Sequence, residues 1–235
     1  MIVVDGGSRY PVSMHQRIAI GEEVSPRKAF AWVIDWPGWC RGGKGASLAR
    51  AALVAYAPRY AVVATAAGLA IPDQGDLADA EVVESVDGDA STDFGVPHTI
   101  TDMDRRPATG VEAERLANLV EAGWALLDRV AAGAPAELRK GPRGGGRDRD
   151  KMLGHVLEAE HAYAREIGLR LQPGSLADRA AVTAERAAIL DVLRQPSDGS
   201  PLADRTWTPR YAARRIAWHV LDHTWEMEDR SKPPR

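Results

Sequence analysis

Residues 209–229 read PRYAARRIAWHVLDHTWEMED, and how this stretch folds decides the architecture of the second half of the chain. Apolar side chains return at helical spacing in two strips. Tyr211, Trp218, Leu221 and Trp225 form one, and Ile216, Val220 and Met227 form the other. Pro209 suits the first turn of a helix, where its missing N–H has no partner to lose. The stretch is therefore predicted as one helix from Pro209 to about Asp229, covered by neighbours on two sides. His219, His223 and Glu226 fall in the sector between the strips. Two imidazoles four residues apart lie one above the other on a helix face. Such a pair can chelate one divalent ion if a neighbouring helix supplies a third ligand.

Three more helices are predicted upstream. Val111–Ala132 carries Leu116, Leu119, Val120, Gly123, Leu126, Leu127 and Val130 on one stripe, with Gly133 and Pro135 as stop signals. A second runs from about Lys151 to Leu169 and a third from Ser175 to Leu193. Between the first two lies a Gly-rich basic loop, Lys140–Arg149, with Lys151 just beyond it. Its positive charge is diluted by Asp148 and Asp150, and a solvated hinge is the plainer reading. Four helices with connections of this length favour an antiparallel bundle over residues 106–235.

The segment 101–110 is polar, broken by Pro107 and Gly110, and reads as a linker. Ahead of it, residues 1–105 alternate short β-like runs (Arg17–Ile20, Arg27–Ile34, Glu81–Val86) with a helical pattern from Ser47 to about Tyr60 that Pro58 interrupts. The predicted fold class is an α+β N-terminal domain followed by an all-α antiparallel four-helix bundle.

Composition narrows the function. The 235 residues are 45% hydrophobic and 27% charged, as in a globular protein, and 30 basic against 33 acidic residues give a net charge of −3. That balance argues against a broad nucleic-acid footprint. A single cysteine, Cys40, excludes a disulfide framework and a Cys-rich zinc module. Arg41 and Lys44 are close enough in sequence to lower its pKa, although a lone cysteine is more often inert. No apolar run is long enough to span a membrane, and the opening residues lack a secretory pattern, so a cytoplasmic protein is expected. Gly-rich phosphate loops, a nucleophile elbow and a dinucleotide fingerprint are all missing.

Of the six histidines, His15 and His98 lie in the first half, and His155, His161, His219 and His223 lie on predicted helices. His155 and Glu158 share a helix face at i, i+3, whereas His161 turns away from it. An i, i+4 histidine pair is equally compatible with a surface location or with hydrogen bonds to carboxylates. Spacing alone leaves metal binding open.

The stretches MLGHVLEAE at residues 152–160 and RRIAWHVLDHTWEME at residues 214–228 together resemble the DinB/YfiT-like metalloenzymes, and the likeness covers about residues 110–230. The resemblance implies a four-helix bundle with a three-histidine site, which by position is His155, His219 and His223. It implies a divalent ion there, zinc or nickel, and a small-molecule substrate. It also implies a low-molecular-weight thiol or a water as the group activated for transfer or hydrolysis. Glu158 and Glu226 are the candidate catalytic carboxylates, as proton acceptors or as orienting partners of a histidine; Asp222 points partly away. The segment between His155 and His219 is shorter than is usual in that family. Oligomeric state stays open, a homodimer being one option.

In the first half, residues 35–43, DWPGWCRGG, followed by an Ala-rich helix, faintly resemble the HicB-like antitoxin fold in turn and element order, without its acidic helix start. Trp32 is expected in a core. Trp36 and Trp39 flank the Pro-Gly turn, where core packing is the plainer role and a ligand or partner surface the other. The competing functional reading follows from this: a catalytically silent bundle whose N-terminal domain binds a protein partner or ligand.

Overall fold

The computed structural model describes residues 18–72, 77, 79–141 and 145–231. It is an α+β protein with one four-stranded sheet near the N-terminus and, among the described residues, seven helices, mostly in the C-terminal part. The strands are β1 (Ala19–Val24), β2 (Ala29–Val33), β3 (Cys40–Gly43) and β4 (Glu81–Asp87). The helices are α1 (Ala46–Ala55), α2 (Ala57–Ala66), α3 (Ala90–Phe94), α4 (Gly110–Gly133), α5 (Arg149–Glu166), α6 (Arg179–Leu193) and α7 (Pro209–Ser231). The strand order is β3-β2-β1-β4, antiparallel except for the parallel pair β1 and β4.

Strand β2, AFAWV, is buried at every position. Successive side chains leave a strand on opposite faces. Ala29, Ala31 and Val33 accordingly join Ile20, Trp39 and the apolar sides of α1 and α2, while Phe30 and Trp32 meet Cys40 and Trp218 of α7 on the other face. Pro58 does not end the helical stretch it interrupts. The chain breaks at Tyr56 and restarts with Pro58 in the first turn of α2, where a proline has no N–H to lose. Strand β3 and helix α3 were not predicted.

The two apolar strips of α7 go to different places. Ile216, Val220 and Met227 pack with Leu116, Val120, Trp124 and Leu127 of α4 and with the inner faces of α5 and α6. Leu221 and Trp225 pack instead with Leu119 and Leu126 of α4, with α1 and α2, and with the sheet. Helices α4 and α7 therefore carry apolar surface of both halves of the chain, and the two halves share buried side chains.

Arginines on α7 reinforce that joint. Arg210 donates to Asp35 at 2.6 Å and to Glu112 at 2.9 Å. Buried Arg214 holds Asp104 through its Nε at 3.0 Å and lies 4.4 Å over the Trp32 ring. Asp35 sits at φ 63°, a left-handed conformation costly for a residue with a Cβ, and its carboxylate also receives Arg106 at 2.7 Å. Three residues on, the turn ends at Gly38, with φ 85°. A Cβ there would come within 2.5 Å of Leu221 Cδ1, so the turn lies directly against α7.

A shared core predicts shared unfolding. Urea denaturation followed by circular dichroism and by tryptophan fluorescence is expected to give one coincident transition. Trp225→Ala should lower stability by about 3–5 kcal/mol, as for any large aromatic removed from a packed core. Two separated transitions would show that the halves fold independently.

Candidate metal centre

Helix α5 packs against α7, and the contact brings three imidazoles together. The donor atoms of His155, His219 and His223 all lie within 4.8 Å of one another. The Nε2 atoms of His155 and His219 are 3.3 Å apart. The three ring centroids are 4.7–5.1 Å from each other, with steep interplanar angles, so the rings meet at a point rather than stack. His219 is only 8% exposed, while His155 and His223 are half-buried and reach solvent.

Burial sets the charge of the cluster. Desolvation, followed by the proximity of His223 and His155, pushes the His219 imidazole down to about 2. His155 is lowered for the same first reason, with Arg147 adding to it. Neutral imidazoles keep a lone pair for a ligand. Glu226 Oε2 lies 3.0 Å from His223 Nδ1, and Arg230 reaches the other oxygen of Glu226 at 2.9 Å. These partners hold the Glu226 carboxyl below its usual range, the His223 hydrogen bond contributing most. A carboxylate accepting from Nδ1–H fixes the tautomer and leaves Nε2 of His223 as the donor. The ring of Tyr163, from α5, stands edge-on to His219 at 5.7 Å. Its hydroxyl is kept protonated by burial, which raises its pKa.

The donor set fits a metal on chemical grounds. Three imidazole nitrogens suit zinc, nickel, copper or iron. Zinc–nitrogen bonds of about 2.0–2.1 Å at tetrahedral angles put donor atoms about 3.3 Å apart, which is the spacing of His155 and His219. His219 Nδ1 is buried without a hydrogen-bond partner among the described residues. The nitrogen of this ring that faces the cluster is Nε2, 3.3 Å from His155 Nε2.

The other sequence candidates are distributed as follows. Glu226 is in the site, against His223. Glu158 is exposed on α5 with no hydrogen bond to a histidine among the described residues, although its charge favours the protonated form of His155. Asp222 turns away to Arg41 at 2.9 Å. His161 pairs with buried Glu185 at 2.8 Å, and His98 with Asp89 at 2.9 Å, both apart from the cluster. His15 lies outside the described residues. Cys40 is buried, and desolvation outweighs the attraction of Arg214 and Arg41, raising its thiol to about 12. Trp39 stacks on Tyr60 at 4.7 Å in the core, and Trp36 is held edge-on by both with Arg115 over its face. In the basic loop, Lys140 is paired with Asp148 and Arg149 with Asp150; residues 142–144 lie outside the described residues. Tyr163 and Arg215 were not singled out from the sequence; the i, i+4 step from Arg215 to His219 was the available signal.

Compared with models of known families, with characterised proteins and with solved structures, the chain matches none.

The buried neutral histidine has a consequence for stability. In the unfolded chain His219 takes up a proton near its ordinary value of 6.5, whereas in the folded chain it stays neutral down to about 2. Between those limits the unfolded state binds more protons. The contribution of His219 is thus fully present above about pH 6.5 and is lost as pH falls. Chelator-treated protein is expected to lose up to about 1.4 kcal/mol per pH unit from this group below that point. In His219→Gln the urea midpoint should decline less steeply between pH 7 and pH 5. Parallel declines would show that the ring takes up its proton in the folded state.

Proposed function

We propose that His155, His219 and His223 together hold one divalent ion, zinc or nickel, and that the protein is a metal-dependent enzyme of the DinB/YfiT-like type acting on a small molecule. In this reading α4, α5, α6 and α7 form the antiparallel four-helix bundle of that architecture. The single observation that carries the proposal is the convergence of three imidazole rings from two helices, one ring buried and two reaching solvent. When bound by three neutral ligands, such an ion keeps its full positive charge and acidifies a thiol or a water.

The residues of the chain divide the remaining work. His219, enclosed between Trp218, Tyr163 and the other two rings, is rigid and unprotonated. Glu226 is a positioning residue. It holds the proton at His223 Nδ1 and is itself held by Arg230. Glu158, exposed one turn along α5 from His155, is the carboxylate left to take a proton from the thiol or water and pass it to solvent.

Elemental analysis of protein purified without a histidine tag or chelator tests this. About one divalent ion per chain is expected, and none in His219→Ala with the fold retained. Glu226→Gln should keep the ion but bind it about 10–100-fold more weakly in a chelator competition, because the ring it orients is set free. Wild-type protein that takes up neither zinc nor nickel would overturn the proposal. It would favour a silent scaffold whose N-terminal half carries the binding role.

A further inference from the structure

Four arginines project from α7, and three have acidic partners: Arg210 with Asp35 and Glu112, Arg214 with Asp104, and Arg230 with Glu226. The fourth, Arg215, pairs with no carboxylate among the described residues. Its Nη1 donates to the carbonyl of Pro97 at 3.1 Å, and its guanidinium lies 4.7 Å over the ring of Trp218 and 5.4 Å over that of Tyr163. All three partners are neutral, since burial keeps the Tyr163 phenol protonated. Arg215 also stands one helical turn before His219, on the face of α7 that continues through His219, His223 and Glu226. Tyr163 touches both ends of this arrangement, standing over Arg215 and edge-on to His219. The half-buried cation thus has no counter-ion among the described residues and adjoins the imidazole cluster. Its charge disfavours protonation of His219, as does that of Arg147 from the basic loop.

A guanidinium held by neutral groups keeps N–H donors and a full charge for an anion, and its planar fork matches a carboxylate. The distance matters too. The Tyr163 ring centroid lies 5.4 Å from the Arg215 guanidinium and 5.7 Å from the His219 ring, so a small acid held by Arg215 extends along Tyr163 toward the imidazole cluster. We propose that Arg215 anchors the carboxylate of the substrate or thiol, and that this site selects small acids, in particular short mercapto acids. The inference rests on the metal-site reading for the position of the reacting atom, but the anion anchor itself does not require a metal.

The test uses two probes of nearly equal size, 3-mercaptopropanoate and its neutral amide, 3-mercaptopropanamide. Each is titrated calorimetrically into zinc-treated and chelator-treated full-length protein, as wild type, Arg215→Gln and Arg215→Lys. Wild type is expected to bind the acid at least about tenfold more tightly than the amide. Arg215→Gln should bring the two together without changing zinc content or amide affinity, and Arg215→Lys should keep part of the preference. Equal affinities in wild type, or an undiminished preference in Arg215→Gln, would overturn the anchor while leaving the metal reading intact. If the protein takes up neither zinc nor nickel, the metal reading fails by itself. The chelator-treated titrations then decide the anchor by the same comparison. Should Arg215→Gln prove unfolded by circular dichroism, the Lys variant and the salt dependence of acid binding decide, a preference unaffected by salt counting against the anchor.

Discussion

Burial of α7 between the sheet and the remaining long helices fixes the rotation of that helix about its axis, and the geometry of the histidine cluster depends on that rotation. Ile216, Val220 and Met227 are drawn into the core with α4, α5 and α6, and Leu221 and Trp225 into the core beneath the sheet. Each strip removes apolar area from water at roughly 25 cal/mol per Å², so rolling the helix in either direction would expose one of them. The sector left between them is the one that carries His219 and His223. The same enclosure that packs the helix also strips water from His219, so packing and the protonation state of the ring have one cause.

Polar contacts then lock what packing selects. Arg210 and Arg214 pass from α7 to Asp35, Glu112 and Asp104. Of these pairs only Arg214–Asp104 is buried on both sides, and a buried pair repays its desolvation only when the geometry is good. Here all three acidic partners lie outside α7, on the turn after β2, on the approach to α4 and in its first turn. A slide of α7 along its axis would break several charged contacts at once. The left-handed backbone at Asp35 belongs to this arrangement, since it presents the carboxylate to two arginines together.

Much of α7 was legible in the sequence. The spacing of its apolar residues gave a two-sided helix and placed His219, His223 and Glu226 between the strips, because periodicity is a local property that the folded chain keeps. His155 was reachable only through a likeness to a family, since nothing local says which residue of one helix will face which residue of another. The same limit hid Tyr163, whose role comes from α5 meeting α7. Arg215 could have been found from its i, i+4 relation to His219, but an arginine on a helix usually needs no explanation. That it has no carboxylate partner among the described residues appears only once the acids around it are located. Strand β3 was missed because Cys40–Gly43 carries two glycines and no β-branched residue. It becomes a strand by pairing with β2 and by packing beneath α1. The division at residues 101–110 was read from composition, which cannot register that Leu119, Leu126, Leu221 and Trp225 pack against residues of the first half.

The approach of Gly38 to Leu221 carries a consequence for how this sequence can drift over evolutionary time. With φ 85° and the Leu221 side chain 2.5 Å from where a Cβ would stand, position 38 has room only for hydrogen. Leu221 is flanked by the two histidines of α7, two residues from each. A larger side chain on the turn would therefore press on the backbone that carries the pair, and the change tolerated there would be a smaller residue at 221. The turn and the helix are bound into one hereditary unit, in which a residue with no functional group of its own restricts the variation permitted beside the histidines.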